Sequence, residues 1–178
     1  MYYLGLVESG YDSHAYSRAA AVGMWQFMTT TARGMGLRVD WWVDERRDPM
    51  RSTKAAARFL ASLRDQFGSL YLAAAAYNGG PARISRGPNR LPEDTADGDA
   101  DDQFFALAET RALKRETSNY VPQLIAAAAI GKEPWKYGIT LEPVLPYKYD
   151  SILVPPATAV GALTYATGAT LDSLREHN

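Results

Sequence analysis

The residue best placed to do chemistry is Glu8, in the tripeptide Glu8-Ser9-Gly10. It follows the apolar stretch Leu4-Gly5-Leu6-Val7 and is stopped by Gly10, which puts it in the last turn of a helix that glycine terminates. Withdrawal from water and the negative end of the helix dipole both disfavour the carboxylate, so both raise its pKa. A carboxyl tuned in this way donates a proton near neutral pH. Taken alone, Glu8 is an ordinary helix-end carboxylate making a surface contact. Three clusters downstream change that reading: Gly23-Met24-Trp25-Gln26-Phe27-Met28, Ala76-Tyr77-Asn78-Gly79-Gly80 and Glu116-Thr117-Ser118-Asn119-Tyr120-Val121.

The elements that must position these clusters read as helices. Residues from about Met24 to Arg33 form one, ended near Gly34 and Gly36. Ser52 or Thr53 can cap a second, in which Ala56, Phe59, Leu60, Leu63 and Phe67 fall at helical spacing before Gly68 stops it. Leu70 to Tyr77 is an alanine-rich buried helix, broken by Asn78-Gly79-Gly80-Pro81. Phe104 to Leu113 and Asn119 to Ile130 are further helices, with Pro122 expected in a first turn. Between them, Pro92 to Asp102 is a solvated acidic loop. It does not fit a calcium loop, because counting from Asp97 puts Asp102 where glycine is needed and Ala108 where glutamate is needed. No metal is expected there and no cofactor is implied.

Composition changes near Pro134. Around Pro143, Pro146, Pro155 and Pro156, the residues Ile152, Leu153 and Val154 are β-prone, and Ala157 to Ala166 and Leu171 to Glu176 read as two short helices. The expected organisation is a mainly α chain with a domain over residues 1–139 and an extension over 140–178. The chain has 178 residues, 47% of them apolar, enough for one substantial core. A formal net charge of −1 with intermixed signs argues against a nucleic-acid partner. The absence of cysteine removes disulfides and thiolate chemistry and fits either cytoplasm or periplasm. No apolar run reaches the roughly 20 residues that span a bilayer. Met1 lies barely two helical turns before Glu8, which leaves no room for a signal peptide and suggests a fragment whose N-terminal portion, with any membrane anchor, is missing.

In this order the Glu-Ser, Gly-Met-Trp-Gln, Ala-Tyr-Asn and Glu-Thr-Ser-Asn-Tyr-Val segments resemble the lytic transglycosylases of the soluble lytic transglycosylase, goose-lysozyme-like fold. Within that family the likeness is to the membrane-bound lytic murein transglycosylase D type. It runs from Leu4 to about Ile130 and includes Asp44-Glu45-Arg46-Arg47-Asp48-Pro49 and Ser52-Thr53-Lys54-Ala55-Ala56. The resemblance implies a lysozyme-like helical domain acting on peptidoglycan glycan strands in the periplasm or cell envelope, as a monomer. It also implies cleavage of the β-1,4 bond between N-acetylmuramic acid and N-acetylglucosamine without water, leaving a 1,6-anhydromuramic end. Residues 147–178 resemble the first part of a lysin-motif unit, a strand followed by two helices, ending before a second strand.

On this reading Glu8 is both acid and base. Ser9 bonds substrate or the glutamate, or makes a cap or turn. Gln26 suits an amide or hydroxyl on a sugar, and Met24, Trp25, Phe27 and Met28 wall the groove. The alternative is an ordinary helix whose Met24 and Met28 share a core-facing side at four-residue spacing. Tyr77 lies in the cleft near the glutamate, while Asn78 either joins it or caps the following turn. Tyr120 offers its hydroxyl to the sugar or to Glu8, or packs on the core. Glu116 receives no catalytic role. Thr29 stands where the family commonly has proline, and the acidic stretch before Phe104 is longer than usual. A muramidase would need a second carboxylate. Asp44, Glu45 and Asp48 are the candidates, and their neighbours Arg46 and Arg47 favour ion pairing instead. The remaining alternative is a non-catalytic peptidoglycan-binding module.

Overall fold

The computed structural model describes residues 1–87, 99–110, 112–142, 144, 150 and 152–176. Two units partition the chain, Met1–Gly138 and Ile139–Asn178. The first unit holds seven of the described α-helices: α1 (Tyr2–Ser9), α2 (Thr29–Gly34), α3 (Pro49–Phe67), α4 (Leu70–Gly79), α5 (Pro81–Ile84), α6 (Ala100–Glu109) and α7 (Arg115–Lys132). A 3-10 turn, Pro134–Tyr137, closes it. Among the described residues there is no strand, only isolated bridges that pair Tyr16 with Val22, Val22 with Phe27 and Val39 with Asp44.

The core is centred on α4. Leu72, Ala73, Ala74, Ala75 and Ala76 are all buried, because α3, α5, α6 and α7 surround the helix. Small side chains are what let several backbones approach one helix at native packing density. Ser69 caps α4 through its hydroxyl, which accepts from the Tyr71 and Leu72 amides. Along α3, Ala55, Ala56 and Leu63 face this core, and Gly68 ends the helix in the left-handed conformation as its position after Phe67 predicts.

Several boundaries depart from the sequence reading. Residues 24–28 are not helical. Gly23 to Gln26 is a turn closed by the Gln26 amide on the Gly23 carbonyl at 3.0 Å, and Val22 pairs with Phe27. The helix starts at Thr29, so Thr29 is its first residue, where a proline would also fit. The cap of α3 is Asp48, which accepts from the Met50 and Arg51 amides, with Pro49 at the first helical position. Ser52 is buried inside that helix and donates to the Asp48 carbonyl at 2.6 Å. The expected acidic loop gives way to α6 at Ala100. Asp99 caps it and Asp101 and Asp102 occupy its first turn, where carboxylates complement the helix dipole. Asp97 lies outside the described residues. Helix α7 begins at Arg115, so Pro122 sits well inside it rather than in its first turn.

The loop over residues 15–28 is held by a buried cation. Arg46 is only 7% exposed, and its guanidinium pairs with Asp44 through Nε (2.8 Å) and Nη2 (2.7 Å). Its Nη1 donates to the carbonyls of Phe27 (3.0 Å) and Ala20 (3.2 Å). Gly23 packs so closely on this segment, at φ 78°, that a Cβ would collide with the Arg46 carbonyl oxygen.

The second unit contains α8 (Val160–Thr167) and α9 (Leu171–Glu176), which pack on each other. Residues 152–154 form no strand. Their side chains are exposed, and residues 147–149 and 151, which belong to the stretch likened to a lysin-motif unit, lie outside the described residues.

Breaking a buried ion pair by removing one partner typically costs about 3–5 kcal/mol. Arg46→Ala is therefore expected to lower stability by about that much, because it strands Asp44 and two loop carbonyls. Urea unfolding followed by circular dichroism measures this; a loss below about 1 kcal/mol would mean that the pair does not hold the loop.

Candidate active site

Helix α1 ends as its sequence requires. Gly10 adopts the left-handed conformation, and its N–H bonds the Leu6 carbonyl at 3.0 Å. Glu8 is thereby fixed in the last turn and half-buried. Its partner comes from α7: the Tyr120 hydroxyl donates to Glu8 Oε1 at 2.6 Å. Tyr120 is 4% exposed, so the reading of it as a packed tyrosine and the reading as a partner of Glu8 both hold. Burial pushes the Glu8 carboxyl up to about 7; the Tyr120 hydrogen bond opposes the rise and the nearby Glu116 charge adds to it. The Tyr120 phenol is pushed far above its ordinary value by burial and by the Glu8 charge, so it stays protonated and serves as a donor.

The turn over residues 23–27 presents carbonyl oxygens to two neighbours. Ser9 donates its hydroxyl to the Met24 carbonyl at 2.9 Å, and Tyr77 donates to the Trp25 carbonyl at 2.8 Å. Ser9 therefore ties α1 to this loop. Tyr77 is pushed well above its ordinary pKa by burial and then by the Glu8 charge, so it lies within electrostatic reach of the acid. Its ring stacks with Phe59 at 5.3 Å and Phe27 at 6.1 Å between centroids.

Gln26 is in the left-handed region at φ 48°, with Nε2 donating to the Gly23 carbonyl at 2.9 Å. The helical face shared by Met24 and Met28 does not exist: Met24 packs partly against the core, and Met28 is exposed. Trp25 is buried and anchored by its indole N–H on Thr53 Oγ1 at 2.9 Å, so it belongs to the core rather than to a groove wall.

Asn78 caps nothing. The following short helix has no side-chain cap, and the Asn78 amide is spent on α7, donating to Glu116 Oε1 at 3.2 Å and accepting from Thr117 Oγ1 at 2.8 Å. Two residues with consequences were missed by sequence reasoning. Thr117, 1% exposed, locks Asn78 in place, and Arg46 carries the loop whose carbonyls receive Ser9 and Tyr77. A buried threonine in a polar motif and an arginine in an ion-pair run give little local signal. Glu116 and Tyr120 stand four residues apart on α7, so they share the face turned toward α1 and the end of α4.

The other acidic candidates are engaged. Asp44 is held by Arg46, and although burial works to raise its pKa, that hydrogen bond and charge keep it below the ordinary value. Glu45 accepts from Arg51 at 2.6 Å and from the Arg38 amide at 2.7 Å, and Asp48 caps α3. Each is a structural carboxylate.

Because folding raises the Glu8 pKa from 4.5 to about 7, Glu8 favours the folded state only while protonated. That contribution is complete below about pH 4.5 and is lost as pH rises through about 7. A shift of this size corresponds to about 3 kcal/mol. Glu8→Gln should accordingly gain stability relative to the parent between those pH values and keep a constant lead above them. Thermal melts across the range test this, and a difference independent of pH would contradict the burial of the carboxyl.

Residues 1–94 match the Transglycosylase SLT domain family. Over 139 residues the chain is 37% identical to membrane-bound lytic murein transglycosylase D of Escherichia coli, covering 78% of this chain and 29% of that protein. It is 32% identical over 123 residues to peptidoglycan transglycosylase gp16 of Escherichia phage T7, covering 68% of this chain and 8% of that protein. The chain thus spans less than a third of the length of these relatives. A solved structure of an inactive glutamate-to-glutamine mutant of the lytic transglycosylase Slt from Pseudomonas aeruginosa superposes with a TM-score of 0.56 at 25% identity, covering 76% of this chain and 21% of that one. With a half-buried glutamate at the end of α1, a tyrosine on its carboxyl and a family match that spans α1 to α5, the chain belongs to the Transglycosylase SLT domain family.

Proposed function

We propose that this chain is a peptidoglycan lytic transglycosylase of the cell envelope that cleaves the β-1,4 bond between N-acetylmuramic acid and N-acetylglucosamine. The observation that carries this reading is the Glu8 carboxyl, raised to about 7 and gripped on one oxygen by Tyr120, with Asp44, Glu45 and Asp48 committed elsewhere. Glu8 protonates the glycosidic oxygen as the bond to the anomeric carbon breaks. The N-acetyl carbonyl of the muramic residue shares the developing positive charge at that carbon. The Glu8 carboxylate then takes the proton from the muramic 6-hydroxyl, whose oxygen closes on the anomeric carbon to give the 1,6-anhydro ring. Both protons are accounted for by one carboxyl, and no second carboxylate is needed.

Tyr120 holds the acid in position and stabilises the carboxylate formed between the two steps. Tyr77, Asn78 and the Met24 to Gln26 turn are the surfaces proposed to receive the sugar. The relatives named above support the substrate class, and the engagement of Asp44 by Arg46, of Glu45 by Arg51 and of Asp48 as the cap of α3 favours anhydro-ring closure over hydrolysis. Among the described residues, no helix is long and apolar enough to cross a membrane.

Mass analysis of muropeptides released from purified sacculi tests the reaction type. Products ending in 1,6-anhydromuramic acid are expected; reducing ends would mean hydrolysis, and binding without products would mean a binding module. Glu8→Gln should reduce turnover by at least about 10²-fold, the lower range for general acid catalysis, while glycan binding persists. The pH dependence of kcat/KM should show an alkaline limb near pH 7, where Glu8 loses its proton. Tyr120→Phe removes a donor to the carboxylate, so this limb should move to higher pH and kcat/KM should fall about tenfold. An unmoved limb would detach Tyr120 from the titration of Glu8.

A further inference from the structure

Between α2 and α3 the chain makes a tight hairpin, in which Val39 bridges to Asp44 and the Asp40 N–H donates to the Val43 carbonyl at 2.8 Å. Trp41 and Trp42 are the two residues at its tip. They are 89% and 85% exposed, whereas Trp25 is buried in the core. Two-residue tips ordinarily carry Gly, Asn or Asp, which accept the turn and leave no apolar surface in water. Two adjacent indoles contribute nothing to such a turn, and neither makes a side-chain hydrogen bond or ring contact among the described residues.

The backbone beneath them is nonetheless firmly held. Asp40 Oδ1 accepts from the Trp42 and Val43 amides, each at 2.8 Å, while Arg38 Nε donates to Asp40 Oδ2 at 2.6 Å. The Val39 carbonyl accepts from Arg33 of α2 through Nε at 3.1 Å and Nη2 at 2.5 Å. A tip fixed before any ligand arrives lowers the entropic cost of binding.

Each indole offers a flat apolar face and one N–H donor. The rings of a β-1,4-linked hexosamine strand hold their substituents equatorially, so each face is a patch of axial C–H groups rimmed by hydroxyl and N-acetyl acceptors. The two surfaces are complementary. A membrane interface also takes tryptophan, but anionic headgroups are drawn by a surplus of cations. Here Arg38, Arg46 and Arg51 are paired with Asp40, Asp44 and Glu45. Charges that cancel around an aromatic tip suit uncharged sugar rings.

We infer that Trp41 and Trp42 form an aromatic platform that stacks on sugar rings of the glycan, a surface binding site additional to the cleft around Glu8. The identity of the polymer rests on the proposed function. The hydrogen bonds of residues 39–43 run within the hairpin and to α2, not to the helices that carry Glu8, Tyr77 and Tyr120. Truncating the indoles therefore leaves the supports of the acid in place, and the platform acts by holding the enzyme on its polymer.

Cosedimentation with purified sacculi, in a Glu8→Gln background that prevents turnover, measures the platform directly. Adding Trp41→Ala and Trp42→Ala should raise Kd about tenfold, the change that two aromatic contacts of ordinary strength supply. The Trp41→Tyr, Trp42→Tyr pair should recover most of that loss, and neither pair should lower the Tm. With Glu8 present, the alanine pair should raise KM on sacculi about tenfold and leave kcat unchanged. Binding that is absent in the parent or equal in the alanine pair overturns the platform, as does a fall in kcat with KM unmoved. Vesicles of phosphatidylethanolamine and phosphatidylglycerol form the second arm: capture by the parent that the alanine pair loses, with sacculus binding equal, makes the tip a lipid contact and also overturns it. If the chain with Glu8 intact cleaves no sacculi, the proposed function falls, and the cosedimentation still decides the platform.

Discussion

Helix α4 is buried on nearly every side, and this is possible only because its interior is alanine. Four consecutive alanines after Leu72 let α3, α6 and α7 close on it, and no larger side chain at Ala73 or Ala75, both 0% exposed, could be accommodated without moving a neighbouring helix. The consequence for function is positional. Tyr77 and Asn78 occupy the last turn of the most constrained element in the unit, so their polar groups are delivered to fixed places. Packing of Tyr77 against Phe27 and Phe59, and the Thr117 hydroxyl on Asn78, remove what rotational freedom is left.

The loop facing that helix has no regular structure to hold it, and Arg46 takes the place of a sheet. A buried cation is costly unless every donor finds an acceptor. Here Asp44 takes two of its hydrogen bonds, and the carbonyls of Phe27 and Ala20 take two more. The arrangement fixes the segment whose Met24 and Trp25 carbonyls accept from Ser9 on α1 and Tyr77 on α4. An ion pair far from Glu8 in sequence thus aligns the helix that carries the acid with the helix that carries the cleft.

What the sequence made legible was local. The apolar spacing of α3, the Gly68 and Gly10 stops, and the polar ends of α1 and α4 all follow from short-range rules, and each is present in the fold. The misreadings share a different cause. Met24 and Met28 have helical spacing, yet Gly23 must pack on the Arg46 carbonyl and Phe27 must pair with Val22, so a long-range demand overrides the local pattern. Asp48 followed by Pro49 is a capping signal for α3 that competes in the sequence with Ser52 and Thr53. Pro122 suggests a first turn, but α7 continues through it from Arg115, because burial of Thr117, Tyr120 and Val121 favours the helix. Glu8 and Tyr120 both stand out in the sequence, but only the packing of α1 on α7 explains why one touches the other.

Three effects on a single carboxyl decide what the site can do. Desolvation alone would favour the neutral acid so strongly that Glu8 would recover a proton well but donate one poorly. The Tyr120 hydroxyl bonds the carboxylate and pulls the pKa back, and the Glu116 charge opposes it weakly. The balance falls near 7, where the protonated and ionised forms are close in free energy. A group asked to give a proton in one step and take another in the next is best served by that near-equality, since neither transfer then faces a large adverse pKa difference. A two-carboxylate glycosidase divides these duties between groups with separated pKa values. In this chain the division is made in time, and the hydrogen bond from Tyr120 is what keeps both states of Glu8 accessible.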